Sequence, residues 1–143
     1  MERRFLDKSL ANASDEFYDC PFCDLMSSSK ERLIQENRLA LAVRDLLPVT
    51  EGHTLIIPKR HVLDYFDLTE AEVSSIHRLI INQRLELDRI DNSIQGYNIG
   101  ANCGLVAGQS VWHCHIHLIP RREGDSEYPK GGVRHVIPLK SKR

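Results

Sequence analysis

The chain has 143 residues, 41% of them hydrophobic, and a formal net charge of −1. This predicts one compact domain and argues against a nucleic-acid polymer as partner, because proteins that coat nucleic acid are usually basic. No apolar run approaches the roughly 20 residues that span a bilayer, and the amino terminus lacks a signal core, so we expect a cytoplasmic protein with no membrane partner, whose four cysteines are thiols or metal ligands rather than disulfides.

The amino-terminal part of the sequence predicts an arm, a short helix and two strands. Residues 1–19 are polar and irregular, which is typical of an arm outside the core. The serines at 27–29 can cap a short helix over residues 30–36. Two apolar runs then predict buried strands, joined by a turn that contains proline and glycine. The strands are residues 39–45 and 53–59, and the turn between them is residues 46–52.

The longest predicted element is a helix over about residues 69–90. Thr69 and Glu72 have the spacing of a capping box, and an apolar stripe follows with the helical period. The stripe consists of Val73, Ile76, Ile80, Leu87 and Ile90. A third strand over residues 96–102 comes next, followed by a glycine-rich loop over residues 103–110. A fourth strand follows at residues 113–120, and a short edge strand at residues 133–138.

Strands outnumber helices in this reading, and their tight connections favour antiparallel pairing. We therefore expect an α+β fold in which one long helix packs on an antiparallel sheet. No repeat and no second domain is visible, so residues 1–143 form a single domain with a tail over residues 122–143.

Three histidines alternate along the fourth predicted strand: His113, His115 and His117. Side chains on a strand alternate between faces, so these imidazoles share one face, while Cys114 and Ile116 point into the core. A row of imidazoles packs poorly, because each ring nitrogen needs a partner. A solvated row or a metal-binding row would explain it. A neutral imidazole is also a nucleophile near physiological pH, and a second one can donate a proton to a leaving group.

The loop ahead of this strand is suited to binding an anion. Its glycines let backbone N–H groups approach a negative charge, and Gln109 and Ser110 add side-chain donors. A glycine-rich loop alone is a weak signal. Next to the histidine row it predicts phosphate chemistry.

The same residues resemble a known family. His113-x-His115-x-His117 followed by two apolar residues is similar to the signature of the histidine triad (HIT) superfamily of nucleotide hydrolases and transferases. Gly-Gln-Ser-Val at 108–111 and Gly-His-Thr-Leu-Ile-Ile-Pro-Lys-Arg-His at 52–61 match further family segments. The resemblance covers about residues 20–121. It implies a HIT-like fold, a homodimer and a hydrolase acting on dinucleoside polyphosphates or related small nucleotides.

The resemblance also implies a role for each matching residue. His115 corresponds to the nucleophile that attacks the α-phosphorus and forms a nucleotidyl-histidine adduct, His117 contacts the phosphates, and His53 supports the triad from a neighbouring strand. The substrate-binding positions are Asp45 at the ribose hydroxyls, Asn102 near the phosphate or ribose, and Gln109 and Ser110 at the phosphates and leaving group. Turn-forming polar residues at 45 and 102, and a core histidine at 53, are the alternatives.

Cys20 and Cys23 stand in a Cys-Pro-Phe-Cys motif that admits three interpretations. Two thiolates at this spacing can supply half of a tetrahedral zinc site, with His61 and His113 as candidate partners. A HIT branch with such a pair implies the same four ligands, and His113 would then orient the triad. The motif also resembles a redox dithiol, although no strand precedes it and no long helix clearly follows. Two buried thiols without metal are the third interpretation.

Rival functions follow from the same residues. The enzyme could be a phosphoramidase, or a transferase or phosphorylase in which phosphate takes the place of water. It could also be a nucleotide-binding adaptor, or a thiol redox module. Product analysis, a turnover assay and the zinc content of the purified protein distinguish these rivals.

Overall fold

A computed structural model describes residues 20–28 and 30–137 of the chain. The predicted arm, residues 1–19, lies outside the described residues, and so does the end of the predicted tail, residues 138–143. No helix in the described part of the chain combines the length and the apolar character that crossing a membrane requires.

The described residues contain one antiparallel sheet of five strands, which confirms the predicted antiparallel pairing, although one of its strands differs from the prediction. The strands are β1 Leu33–Glu36, β2 Ala40–Arg44, β3 Thr54–Pro58, β4 Gly96–Gly100 and β5 Ile116–Arg121. Their order across the sheet is β1-β2-β3-β5-β4, so the strand that carries the end of the histidine row lies between β3 and β4. Pairing in register places Leu55 opposite His117 and Gly100 on its other side.

The predicted helix over residues 30–36 is wrong. The helix in this region, α1, lies earlier at Pro21–Ser28, and Leu33–Glu36 forms strand β1. Pro21 at the first helical position and the buried side chains of Phe22 and Leu25 favour the earlier start. Residues 33–36 alternate between half-buried and exposed and pair with β2, so tertiary pairing decides their conformation.

The predicted edge strand over residues 133–138 is also wrong. Residues Pro129–Val136 form 3-10 turns that meet at Gly132, where φ is +50°. A left-handed residue of this kind interrupts an extended strand, and the glycine pair makes it accessible. In addition, the predicted strand over residues 113–120 begins later, at Ile116, so His113 and His115 lie in the bend and irregular segment just ahead of β5.

The long helix α2, Glu70–Ile90, confirms the prediction and its capping box. The Thr69 hydroxyl accepts the N–H of Glu72 at 3.2 Å, and the Glu72 carboxylate accepts the N–H of Thr69 at 2.8 Å. Ile76 and Leu87 of the predicted stripe are buried, whereas Ile90 is 57% exposed. The buried face of α2 packs on β2 and β3.

The sheet separates two apolar clusters. On the α2 face the cluster contains Ala40, Ala42, Ile56, Val62, Ile76, Leu79, Cys114 and Ile116. On the α1 face it contains Phe22, Leu25, Leu41, Val43, Leu55 and Ile57. Because strand side chains alternate, His53 and His117 share the α1 face with Leu55. The functional side chains therefore gather where α1 covers the sheet.

Gly52, in the turn between β2 and β3, provides a test of this packing. Its φ is +85°, and a Cβ there would lie 2.9 Å from Leu87 Cδ2 and 3.3 Å from Pro120 Cγ. Gly124 has a φ of +79° but nothing within 4 Å of a Cβ. We expect Gly124→Ala to lower the free energy of unfolding by about 1 kcal/mol through backbone strain alone. Gly52→Ala should lose at least about 1 kcal/mol more in urea unfolding, because packed side chains must shift; equal losses would contradict the packing described.

Candidate active site and metal centre

Two cysteines and two histidines from distant parts of the chain meet beside α1. One ligand atom from each of Cys20, Cys23, His61 and His113 lies within 4.8 Å of all the others. Cys23 Sγ is 3.3 Å from His61 Nδ1 and 3.6 Å from His113 Nδ1. Cys20 Sγ is 3.4 Å from His113 Nδ1. The structure thus brings together the four residues that the sequence analysis grouped.

These separations fit a tetrahedral zinc site. Zn–S bonds of about 2.3 Å and Zn–N bonds of about 2.0–2.1 Å place sulfur and nitrogen ligands about 3.6 Å apart. The Nε2–H of His113 donates to the Pro58 carbonyl at 2.8 Å, which leaves Nδ1 unprotonated and directed at the cysteines. The donor set could therefore hold a metal ion, and four protein ligands would leave no position for a water nucleophile.

Burial keeps two donors of this cluster, His113 and Cys23, neutral near pH 7 when no cation is bound. It lowers the pKa of His113 to about 4. Burial and the neighbouring Cys20 thiol raise the pKa of Cys23 to about 11. A coordinated thiol is deprotonated by the ion, so a bound divalent cation would favour the thiolate form of the cysteines. The environment of Cys23 is poorly suited to a reactive thiolate, which disfavours the redox interpretation for that residue.

His115 is held with one ring nitrogen available for chemistry. Its Nδ1–H donates to the His113 carbonyl at 2.8 Å, so in the neutral ring Nε2 carries the lone pair. The residue is 7% exposed. The ring of Phe22, the residue between the two cysteines of the motif, packs edge-on against it with centroids 5.2 Å apart. Sequence reasoning missed Phe22, although its place between two metal-ligand candidates was a usable signal.

His117 and His53 form a hydrogen-bonded pair whose tautomers can be assigned. The Val49 N–H donates to His53 Nδ1 at 3.2 Å, so the proton of a neutral His53 is on Nε2. This Nε2–H donates to His117 Nδ1 at 2.9 Å, which leaves the proton of His117 on its own Nε2. Burial lowers the pKa of His117 to about 4, and it also lowers the pKa of His53. Both rings are therefore neutral near pH 7.

Asp45 lies at the end of this pair. One carboxylate oxygen accepts the N–H of Leu47 at 2.9 Å, and the other lies 3.5 Å from His53 Nδ1. The charge of Asp45 opposes the burial effect on the pKa of His53. The contact with Leu47 fits the turn-forming interpretation of Asp45, and its predicted contact with ribose hydroxyls stays a prediction.

The loop ahead of the histidines is shaped by Gln109, which is 3% exposed. Its Oε1 accepts the N–H of Gly104 at 2.8 Å, and its Nε2 donates to the carbonyls of Leu63 at 2.6 Å and Val111 at 3.2 Å. The amide is thus occupied by contacts that hold the loop, and its predicted contact with phosphates stays a prediction. Ser110 is exposed at the end of this loop.

Asn102, which enters the loop from β4, is also exposed, and its amide donates to the Gly108 carbonyl at 3.4 Å. Gly104 and Gly108 both have positive φ, at +94° and +87°. These backbone conformations let the loop fold back toward its start.

A comparison with known proteins places the chain in a family. The HIT domain model matches residues 27–124. A HIT-like protein of Methanocaldococcus jannaschii is 35% identical over 119 residues, which cover 82% of this chain and 91% of that protein. The crystal structure of a zinc-bound histidine triad family protein from Mycobacterium smegmatis is 34% identical and has a TM-score of 0.69, with 76% of this chain and 78% of that chain covered.

Two relatives carry names that state a reaction. An adenylylsulfatase of Arabidopsis thaliana is 33% identical over 85% of this chain and 62% of its own length. An asymmetrical bis(5'-nucleosyl)-tetraphosphatase of Schizosaccharomyces pombe is 33% identical over 66% of this chain and 51% of its own length. The relatives of this chain thus include hydrolases of small nucleotides.

The histidine pair yields a prediction that needs no substrate. In ¹⁵N-edited spectra of the free protein, His117 should carry its proton on Nε2 and take up a second proton only near pH 4. Unfolded histidine titrates near pH 6.5, so the stability contributed by the neutral ring should be complete above about pH 6.5 and lost as the pH falls toward 4. His53→Phe removes the donor to Nδ1 and should yield mixed tautomers. Protonation of His117 on Nδ1 in the wild type would contradict the assignment.

Proposed function

Since the chain belongs to the HIT domain family, we propose that it hydrolyses dinucleoside polyphosphates or related nucleotides at the α-phosphorus through a nucleotidyl-His115 intermediate. The observation that carries this proposal is the bond from His115 Nδ1–H to the His113 carbonyl. It leaves the Nε2 lone pair of a neutral imidazole as the nucleophile.

The proposed reaction has two displacements. In the first, His115 Nε2 forms a bond to the α-phosphorus and the bond from phosphorus to the bridging oxygen breaks, so the rest of the substrate, the second nucleoside with its phosphates, leaves as an anion. The His117 Nε2–H can donate to a phosphate oxygen as charge develops. The adduct makes the His115 ring cationic, and its Nδ1–H remains bonded to the His113 carbonyl. In the second, water attacks phosphorus, the bond to Nε2 breaks, and a nucleoside monophosphate and a proton are released.

Substrate contacts follow from the residues around the histidines. The carboxylate of Asp45 can accept two hydroxyl protons from a ribose. Asn102 and Ser110 offer exposed donors on the loop ahead of the triad. Gln109 contributes by keeping Gly104 and the loop in place.

Zinc at Cys20, Cys23, His61 and His113 is the second part of the proposal. Support comes from the separations of the four ligand atoms and from the zinc-bound state of the related mycobacterial protein. A metal held there would tie α1 to the segment that carries the triad.

The metal proposal predicts about one zinc per purified chain. Cys23→Ala should lose the metal, whereas Cys103→Ala, a cysteine outside the cluster, should retain it. Structural zinc contributes on the order of 10 kcal/mol to folding, so a chelator should clearly lower the melting temperature of the wild type. Metal analysis and thermal unfolding check both points; a metal-free protein indifferent to chelators would refute the site.

A sulfate-releasing reaction is a second candidate, favoured by the adenylylsulfatase among the relatives. It would use the same attack by His115 with sulfate as the leaving group, and product analysis separates the two. Cytoplasmic location stays a prediction. Homodimer formation also stays a prediction. It is supported by β4, an outer strand of the sheet that a second chain could cover, where Ile99 is 48% exposed.

The sharpest test of the mechanism is His115→Ala. Turnover should fall by at least roughly several-hundred-fold, because a reaction path is lost rather than one hydrogen bond. Binding of the product nucleotide, measured by calorimetry, should remain largely intact. The control is His77→Ala, which alters an exposed histidine on α2. Acid-quenched wild-type enzyme should carry substrate label as an acid-labile phosphoramidate; near-normal turnover by His115→Ala, or inversion of configuration at phosphorus in the wild type, would rule the mechanism out.

A further inference from the structure

We propose that Phe22 is a positioning residue for His115, and that it connects the Cys-Pro-Phe-Cys segment to the reacting nitrogen. The proposal rests on the nucleophilic role proposed for His115. The Phe22 ring contacts two histidines edge-on, His115 at a centroid distance of 5.2 Å and 62° between planes, and His113 at 5.8 Å and 88°. Such edge-to-face geometry is a favoured arrangement of ring systems.

His115 needs a restraint besides its hydrogen bond. Among the contacts between described residues, its imidazole makes one hydrogen bond, from Nδ1 to the His113 carbonyl. One bond fixes the tautomer but lets the ring rock about that contact, which would move Nε2. Two aromatic rings pack against it, those of Phe22 and His117, at centroid distances of 5.2 Å and 5.1 Å. The Phe22 ring therefore restricts the direction in which Nε2 points.

Phe22 is itself held firmly. It is 7% exposed and packs in the apolar cluster on the α1 face. Cys20 and Cys23 flank it in sequence, and their sulfur atoms contact His113 and His61. Whatever fixes these two cysteines also fixes Phe22. A displacement of about 1 Å at a reacting group can cost about 100-fold in rate. The packing of Phe22 against His115 should therefore affect the rate of the step at Nε2.

Packing of the core is the rival explanation, because α1 must cover the sheet in either case. The two explanations differ in what a matched substitution does. Leu25 lies in the same helix and the same cluster and is 6% exposed, but it makes no ring contact with His115. A role in packing alone predicts similar effects at both positions, whereas a positioning role predicts an effect on His115 only from Phe22.

The test compares Phe22→Leu, which keeps an apolar side chain, with Leu25→Ala. With diadenosine tetraphosphate as substrate, Phe22→Leu should lower kcat by roughly 10- to 100-fold and change KM little, with the zinc content equal to that of the wild type. Leu25→Ala should lower the melting temperature yet keep kcat near the wild-type value. In the free protein, the ¹⁵N signals of the His115 ring should shift in Phe22→Leu only, with the proton still on Nδ1 because its bond to the His113 carbonyl is unchanged.

Several outcomes would overturn the proposal. They are a wild-type kcat in Phe22→Leu, an equal loss of kcat in Leu25→Ala, or His115 signals that do not respond to Phe22→Leu. If wild-type protein turns over no nucleotide at all, the proposed function fails. The comparison of His115 signals then still decides whether Phe22 orients the ring.

Discussion

The hydrogen bond from His113 Nε2 to the Pro58 carbonyl sets the arrangement on which the rest of the site depends. At 2.8 Å it fixes the tautomer of a fully buried imidazole. Nδ1 must then accept, and it faces the two cysteines of the cluster. The backbone carbonyl of the same residue holds His115. His113 therefore connects the end of β3, the candidate metal centre and the proposed nucleophile. We expect a change at any one of the three to alter the position of the other two.

Neutrality near pH 7 is a property that His113 and His117 share. Burial lowers the pKa values of His113 and His117 to about 4. A neutral ring has one donor and one acceptor, so each backbone contact dictates what the opposite nitrogen can do. The three rings of the row thus have different roles despite identical chemistry. His113 presents an acceptor to the cysteines, His115 is left with a free lone pair, and His117 is left with an N–H.

The sequence predicted those parts whose signals are local. The capping box and helical period of α2, and the apolar runs of β2 and β3, specify their elements without help from distant residues. The candidate site was also recognisable, partly because histidines at alternate positions and a cysteine pair have few packing explanations, and otherwise through the family resemblance; the roles of its residues stay predictions. Long-range pairing was harder to predict: Leu33–Glu36 becomes a strand through its partner β2, and Pro129–Val136 turns at Gly132 instead of extending. The buried amide of Gln109 likewise acquires its role from Leu63, 46 residues away.

The two histidines of the candidate metal centre, His61 and His113, differ in how easily each can be replaced. His61 offers Nδ1 to Cys23 and is only partly buried. His113 must accept at Nδ1, donate at Nε2 and fill a fully buried position. A designer wishing to change the donor set of the candidate metal centre would therefore work at His61, where a softer or harder ligand leaves the bond to the Pro58 carbonyl in place. At His113 the same exchange would also remove a support of the β3 end, so selectivity and architecture can be separated at one ligand and not at the other.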